Sequence, residues 1–425
     1  MNPQLVRRID SWLGVPICWS LTVVRRAAEL LLPRRLSLPP KRILFIKLVE
    51  LGANVQAAGA VKRAIQAVGR ENVYFWVFAE NRPLLELLDQ VPAENILTIR
   101  SRGLLKFAWD TIRTLIAVRR LGIDAVVDLE FFARASAILA YLSGAGRRVG
   151  LHRFGSAGPY RGDLMTHRVQ YNPYLHVSQY YRLLVEVVLG EPDDIPMPKC
   201  PVPQFDSAVP QFVPSAAELL AVRELLRSPS GNQLSGPIVI LNPNASDIVP
   251  LRKWPIDRFV ELGRRLLRSD PRLSIVITGA ADERSSGEAV AAAIASPRAI
   301  SVAGRTTLRQ LLVLYCLSDV LVTNDSGPAQ LAAMTPIDTV VLFGPETPQL
   351  WRPLGGQRTH VLWAGLACSP CVSALNFRFS CCNQPRCMEA ISVEEVTQTV
   401  LAVLRLREQR YCHSAQLAPA GASAA

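Results

Sequence analysis

Hydrophobic positions in this chain alternate between short continuous runs and longer stretches at helical spacing. Ile43–Lys47, Val73–Phe78, Asn95–Ile99 and Ala125–Leu129 read as buried strands. Val55–Val68, Leu104–Leu121 and Ala133–Leu142 read as the helices between them, and a helix over Tyr174–Leu189 closes this half. Such alternation predicts a parallel sheet with helices on both faces. Seven prolines (Pro192, Pro196, Pro198, Pro201, Pro203, Pro210, Pro214) then interrupt the pattern.

After a helix over Ser215–Leu226 and a polar loop over Ser228–Gly236 the alternation resumes. Strands are predicted over Ile238–Leu241, Leu273–Thr278, Ala299–Val302, Val320–Thr323 and Thr339–Phe343. Helices are predicted over Ile256–Arg268, Glu283–Ile294, Leu308–Leu317, Pro328–Met334 and Val393–Arg407. The expected fold is α/β, with two Rossmann-like doubly wound parallel-sheet domains facing a cleft. We place them at 41–205 and 237–410, joined by a linker over 206–236, with a disordered tail over 411–425.

Residues 1–40 stand apart. Arg7 and Arg8 precede an apolar run from Trp12 to Val24, and Arg25 and Arg26 follow it. The run is shorter than the roughly 20 residues that cross a bilayer and lacks the small-residue cleavage site of a signal peptide. Two readings remain open: an interfacial segment on an anionic membrane, or a helix packed on the protein's own surface.

The chain has 425 residues and a net charge of +12. That length suits two domains, and that charge suits anionic partners. The arginines are dispersed and no RNA- or DNA-binding signature is present, so nucleic acid is not an expected partner. Nine cysteines, an odd number, without a cleavable signal place the chain in a reducing cytoplasm. Five of them, Cys368, Cys371, Cys381, Cys382 and Cys387, cluster at a spacing that zinc could use. Free thiols are the expected reading, and no metal is expected.

Ligands of open α/β sheets bind beyond the carboxyl ends of strands, and three segments there carry chemistry. In Asn324-Asp325-Ser326-Gly327-Pro328, a strand ends in a polar turn before a helix, which suits a phosphate or is a plain helix cap. After the strand ending at Leu241 come Ser246 and then Arg252-Lys253-Trp254-Pro255, cations for a diphosphate or a solvated loop. Asp282 and Glu283 follow a third strand, placed to accept ribose hydroxyls or to begin a helix.

Together these segments resemble glycosyltransferase family 9, which includes the lipopolysaccharide heptosyltransferases. The resemblance runs from about Arg42 to Leu404. It rests on Ile43–Ala60, Arg134, Arg148-Val149-Gly150, Lys253-Trp254-Pro255, Val302-Ala303-Gly304 with Thr307-Leu308, Asn324–Pro328 with Leu331-Ala332-Ala333, Phe343-Gly344-Pro345 with Pro348, and Cys368-Ser369-Pro370-Cys371. It implies a GT-B fold and inverting, metal-independent transfer from a nucleotide sugar, usually ADP-heptose, with no other cofactor. The acceptor implied is a lipopolysaccharide-type or other surface glycan, met at the cytoplasmic face of the inner membrane.

The resemblance also distributes roles. Ser246, Arg252, Lys253, Asp282, Glu283, Asn324, Asp325, Ser326, Gly327 and Gln330 are expected at the donor. Gly52, Asn54, Gln56, Arg134 and Arg148 are expected at the acceptor, with Arg147 and Arg153 as further candidates; the alternative for the four arginines is a solvated basic face. Two positions depart from the family pattern. Gly-Asp is usual in the first loop, the Asp serving as base, and here the pair is Gly52-Ala53. Glu50 is the nearest carboxylate and the expected replacement. Gln330 stands where His is usual; it can hydrogen-bond but cannot carry a proton. These departures leave a second reading, a catalytically inactive homologue acting as a membrane-associated binding or scaffold protein.

Overall fold

In the computed structural model, residues 10–31, 39–101, 103–155, 158–193, 195–227, 231, 233–246 and 249–417 are described. The expectations on Arg7, Arg8, part of the Ser228–Gly236 loop and residues 418–425 lie outside them.

The first half runs α1 (Gly14–Leu31), β1 (Ile43–Ile46), α2 (Leu51–Gln56), α3 (Ala58–Val68), β2 (Val73–Phe78), α4 (Arg82–Leu88), β3 (Ile96–Ile99), α5 (Leu104–Arg120), β4 (Ala125–Asp128), α6 (Arg134–Leu142), β5 (Arg147–Leu151), β6 (His167–Val169) and α7 (Val177–Leu189). Its six strands form one sheet in the order β3-β2-β1-β4-β5-β6, every neighbouring pair parallel. β1 shows why both faces are covered. Ile43 and Phe45 enter the core beside α3 and α7, whereas Leu44 and Ile46 enter the one beside α1, α5 and α6.

The second half runs α8 (Ala216–Leu225), β7 (Ile238–Asn242), α9 (Ile256–Ser269), β8 (Ser274–Ile277), α10 (Arg284–Ile294), β9 (Ala299–Ser301), α11 (Leu308–Cys316), β10 (Val320–Asn324), α12 (Gly327–Ala332), β11 (Asp338–Phe343), α13 (Pro348–Trp351), β12 (Thr359–Trp363), α14 (Arg386–Glu389) and α15 (Val393–Leu417). The second six-stranded sheet has the order β12-β11-β10-β7-β8-β9, again all parallel. Capping boxes start α8 (Ser215 with Glu218) and α11 (Thr307 with Gln310).

One core runs between the halves, through Leu84 and Leu85 of α4 and Leu312 and Val313 of α11. Burial of such a side chain contributes about 1.5–3 kcal/mol, so the halves are joined by apolar packing as well as by the proline-rich segment.

Several elements differ from the pattern-based expectation. The helix expected over Val55–Val68 is two helices meeting at Ala57. The final helix continues to Leu417, so the expected tail is helical at its start. β5, β6, β12 and α4 were not anticipated. Arg147-Arg148 and His167-Arg168 place charged residues inside short strands, which hides their pattern.

Candidate active site

The carboxyl ends of β1, β4, β7 and β10 carry the polar residues. In the second half, Asn324 ties the loops together. Its Nδ2 donates to Pro243 O at 3.0 Å and Asn244 O at 3.2 Å, and its Oδ1 accepts from Trp254 N at 3.0 Å. Ser326 precedes α12 without capping it; its hydroxyl turns back to Asn324 O at 3.1 Å. A side chain at Gly327 would project into open space.

Asp325 is fully buried against Arg252, whose Nη1 donates to Asp325 O at 3.2 Å and lies 3.6 Å from Oδ2. Glu346, after β11, shares this environment and is 1% exposed. Burial raises the Asp325 pKa, and Arg252 opposes the rise. Burial pushes Glu346 up to about 8, with Arg252 opposing and Asp325 adding to it. Asp325 Oδ2 and Glu346 Oε1 have no hydrogen-bond partner among the described residues. Two buried carboxyls thus feel one guanidinium, and burial favours the protonated form of each. Glu346 was missed because it is distant in sequence from both partners; its place directly after Gly344-Pro345, beyond a strand, is the signal that marks it.

Three other expected donor residues are less enclosed. Ser246 and Asp282 are exposed, and Lys253 is half-buried. Glu283 folds back to accept from Ala280 N at 2.7 Å, the helix-start alternative.

Across the cleft, Glu50 sits at the start of α2 and is ion-paired twice. Lys47 Nζ lies 3.1 Å from its Oε2, and Arg378 from the second half meets its Oε1. Lys47 is fully buried and also bridges Glu130 at 2.9 Å. Glu130 accepts from Leu48 N at 2.7 Å and Val49 N at 3.1 Å, which fixes the loop after β1. Beneath it Asp128 pairs with Arg161 and accepts from Ser136 at 3.0 Å; burial raises the Asp128 pKa despite Arg161. Lys47, Asp128, Glu130 and Arg161 form a buried network that sequence reading did not assemble.

Ala53 is buried inside α2, so nothing replaces a carboxylate at that point. Gly52 lies against the second half: a Cβ there would stand 2.9 Å from Gln330 Cγ and 3.3 Å from Gly327 Cα. Gln56 donates to Gln330 Oε1 and to Arg352 O, the latter at 3.2 Å, and Gln330 Nε2 donates to Trp351 O at 2.9 Å. Gln330 and Gln56 therefore bridge the halves. Asn54 turns inward, donating to Leu51 O at 3.3 Å. His176 caps α7 and contacts Arg352 O at 2.8 Å through Nε2; burial lowers its pKa to about 4, so it is neutral.

Two expected acceptor residues are enclosed in the folded chain. Arg148 is fully buried in β5 and donates to Leu164 O at 2.9 Å and to Ala145 O, which holds it inside the first half. Arg134 donates to Tyr160 O at 2.7 Å and to Asp10 at 2.6 Å, and stacks on Phe377 at 5.0 Å. Its burial makes it a positioning residue for the N-terminal segment and the loop carrying Phe377 and Arg378. Arg147 likewise donates to Val188 O, at 3.2 Å.

The five clustered cysteines lie in and after that loop, none in a disulfide. Among the described residues, no group of three or more His, Cys, Asp or Glu side chains is placed to hold a metal ion.

A family model described as glycosyltransferase family 9 (heptosyltransferase) matches residues 113–378, more than half of the chain. The chain belongs to glycosyltransferase family 9. It is 31% identical over 121 residues to lipopolysaccharide heptosyltransferase 2 of Salmonella typhimurium, covering 28% of this chain and 34% of that protein. It is 28% identical over 219 residues to lipooligosaccharide heptosyltransferase 2 of Haemophilus influenzae, covering 50% of this chain and 59% of that one. The matches thus span about one third to six tenths of these curated relatives. The solved structure of E. coli ADP-heptose lps heptosyltransferase II superposes with a TM-score of 0.65 at 19% identity, covering 86% of this chain and 99% of that one. The structure of E. coli heptosyltransferase WaaC with ADP gives 0.58 at 18%, covering 85% and 99%. At these identities the likeness is one of fold, and the fold of this family 9 chain is GT-B.

Proposed function

We propose that the chain is an inverting glycosyltransferase. It moves a heptose or related sugar from a nucleotide-activated donor, ADP-linked as for the two E. coli heptosyltransferases, to a lipopolysaccharide-type or other surface-glycan acceptor. The observation that carries this reading is the facing of two charged centres, Arg252-Asp325-Glu346 in one half and Lys47-Glu50 in the other. In this reading the guanidinium of Arg252 and the ammonium of Lys253 meet the charge that grows on the diphosphate leaving group. Asp325 and Glu346 present acceptor and donor oxygens to donor hydroxyls. Glu50, released from Arg378, takes the proton of the attacking acceptor hydroxyl, while Lys47 keeps it oriented. No metal is assigned a step. The acceptor's lipid end would lie at the cytoplasmic face of the inner membrane, beside the apolar N-terminal helix.

The test is in two parts. Saturating ADP-, UDP- and GDP-sugars are screened for thermal stabilisation; at 100 times its dissociation constant the true donor adds roughly 2.7 kcal/mol. Transfer is then measured for Glu50→Gln, which is expected to lose about 10²–10⁴-fold in kcat with the donor shift intact. An undiminished rate removes Glu50 as base. A donor shift with no transfer by the wild type favours the scaffold reading.

A further inference from the structure

α5 connects two strands of the first sheet, yet one stripe along it is apolar and has no partner among the described residues. Leu105, Trp109, Ile112 and Ile116 are 87%, 66%, 54% and 46% exposed. Their spacing of i, i+4, i+7 and i+11 puts them on one narrow stripe. Lys106, Arg113 and Arg120, all exposed, border it. The acid nearest the stripe, Asp110, is bound to Arg100 at 2.7 Å.

α1 has the same character. Gly14, Cys18 and Thr22 face inward, while Trp12, just before the helix, Trp19, Val23 and Leu30 are 81%, 61%, 48% and 86% exposed at i, i+7, i+11 and i+18. Arg26 borders this stripe. The helix is anchored by Arg25 on Asp163 at 2.6 Å, by Asp163 N on Thr22 Oγ1 at 2.9 Å, and by Arg134 on Asp10 at 2.6 Å. Cys18 of α1 and Val118 of α5 share one core cluster with Leu44, Ile46 and Trp76, so both helices cover the same face of the sheet.

We propose that the outer faces of α5 and α1 together form a docking surface for an anionic lipid bilayer. Deep apolar stripes edged by cations and carrying tryptophan match a membrane interface, where rings sit among headgroups and cations meet lipid phosphates. No helix among the described residues is long and apolar enough to cross a membrane, so these stripes lie along the surface. This deepens the membrane-side part of the proposed function. It also sets an orientation: the face holding α5 and α1 meets lipid, and acceptor reaches the cleft from that side.

Co-sedimentation of the full chain with phosphatidylcholine vesicles, with and without phosphatidylglycerol, tests it. The wild type is expected to pellet with phosphatidylglycerol vesicles, less so as salt rises. Trp109→Ser with Ile112→Ser, and separately Arg113→Glu with Arg120→Glu, are each expected to cut binding about tenfold or more. These surface positions leave the fold intact, checked by an unchanged melting temperature. Equal binding to both vesicle types, or full binding by the variants, overturns the proposal. So does absence of vesicle binding with self-association that Trp109→Ser and Ile112→Ser abolish, which assigns the face to a second copy. Nucleotide-sugar stabilisation and transfer to a lipid-free acceptor fragment are measured beside it. Vesicle binding without transfer fails only the proposed reaction, and transfer without vesicle binding fails only the docking surface.

Discussion

Glu346 is the residue whose ionisation the fold changes most visibly within the site. Its pKa rises from the ordinary 4.5 to about 8 through burial. Between those values the unfolded chain has lost a proton that the folded chain keeps. Stability therefore declines as pH climbs through that window and levels off above it. The melting temperature of Glu346→Gln is expected to hold steady from pH 5 to 8 relative to a falling wild type, a gap growing by about 1 kcal/mol per pH unit. Parallel curves would show that Glu346 is not held protonated. His167 and His176 shape the acid side, both lowered to about 4 by burial. As pH falls from 6.5 toward 4 the unfolded imidazoles take protons that the folded ones refuse, and stability is lost.

Contact between elements is set by a few atoms where α2 meets α12. Gly52 is there because the helices touch: an added Cβ would stand 3.3 Å from the backbone of Gly327 and 2.9 Å from Gln330. Gln330 can yield, being a side chain, but the Gly327 backbone cannot without moving α12. Gly52→Ala is therefore expected to raise the donor KM several-fold with a smaller effect on kcat, since cleft closure and not chemistry is disturbed. An unchanged KM would mean that the two helices separate in the working enzyme. The loop after β12 is a second such contact. Phe377 and Arg378 both adopt left-handed backbone, φ 53° and 56°, at a cost of about 1–2 kcal/mol per residue. Phe377 on Arg134 and Arg378 on Glu50 and on Trp351, at 4.5 Å, are the contacts that hold it.

Across the whole molecule these contacts describe a closed cleft. Glu50–Arg378, Gln56–Gln330 and His176–Arg352 all join the halves. The ion pair also occupies the carboxylate that the proposed mechanism needs, so acceptor entry must break it. Arg378→Ala is expected to widen the cleft, seen as a larger radius of gyration in solution scattering, and to restore toward the wild-type value when donor is added. Scattering curves that coincide without ligand would show that the apolar core through Leu84 and Leu312 suffices to keep the halves closed.

The alternation of apolar runs determined by itself that this is a two-sheet parallel α/β protein, because periodicity is local and each strand's burial is written in its own residues. The same reading located the polar turns after β1, β7 and β10, since a strand's end is marked by its sequence. It did not reveal β5 and β6, where Arg147, Arg148, His167 and Arg168 lie in buried strands and find their partners only in the folded chain. Nor did it show that Arg148 and Arg134 are enclosed, that Arg378 reaches Glu50, or that Glu346 lies beside Asp325. Those facts depend on residues far apart in the chain meeting in a medium of low polarity, and proximity of that kind is a property of tertiary packing alone. The exposed stripe of α5 belongs with them: its spacing is that of any helix facing a core, and only the fold turned it outward.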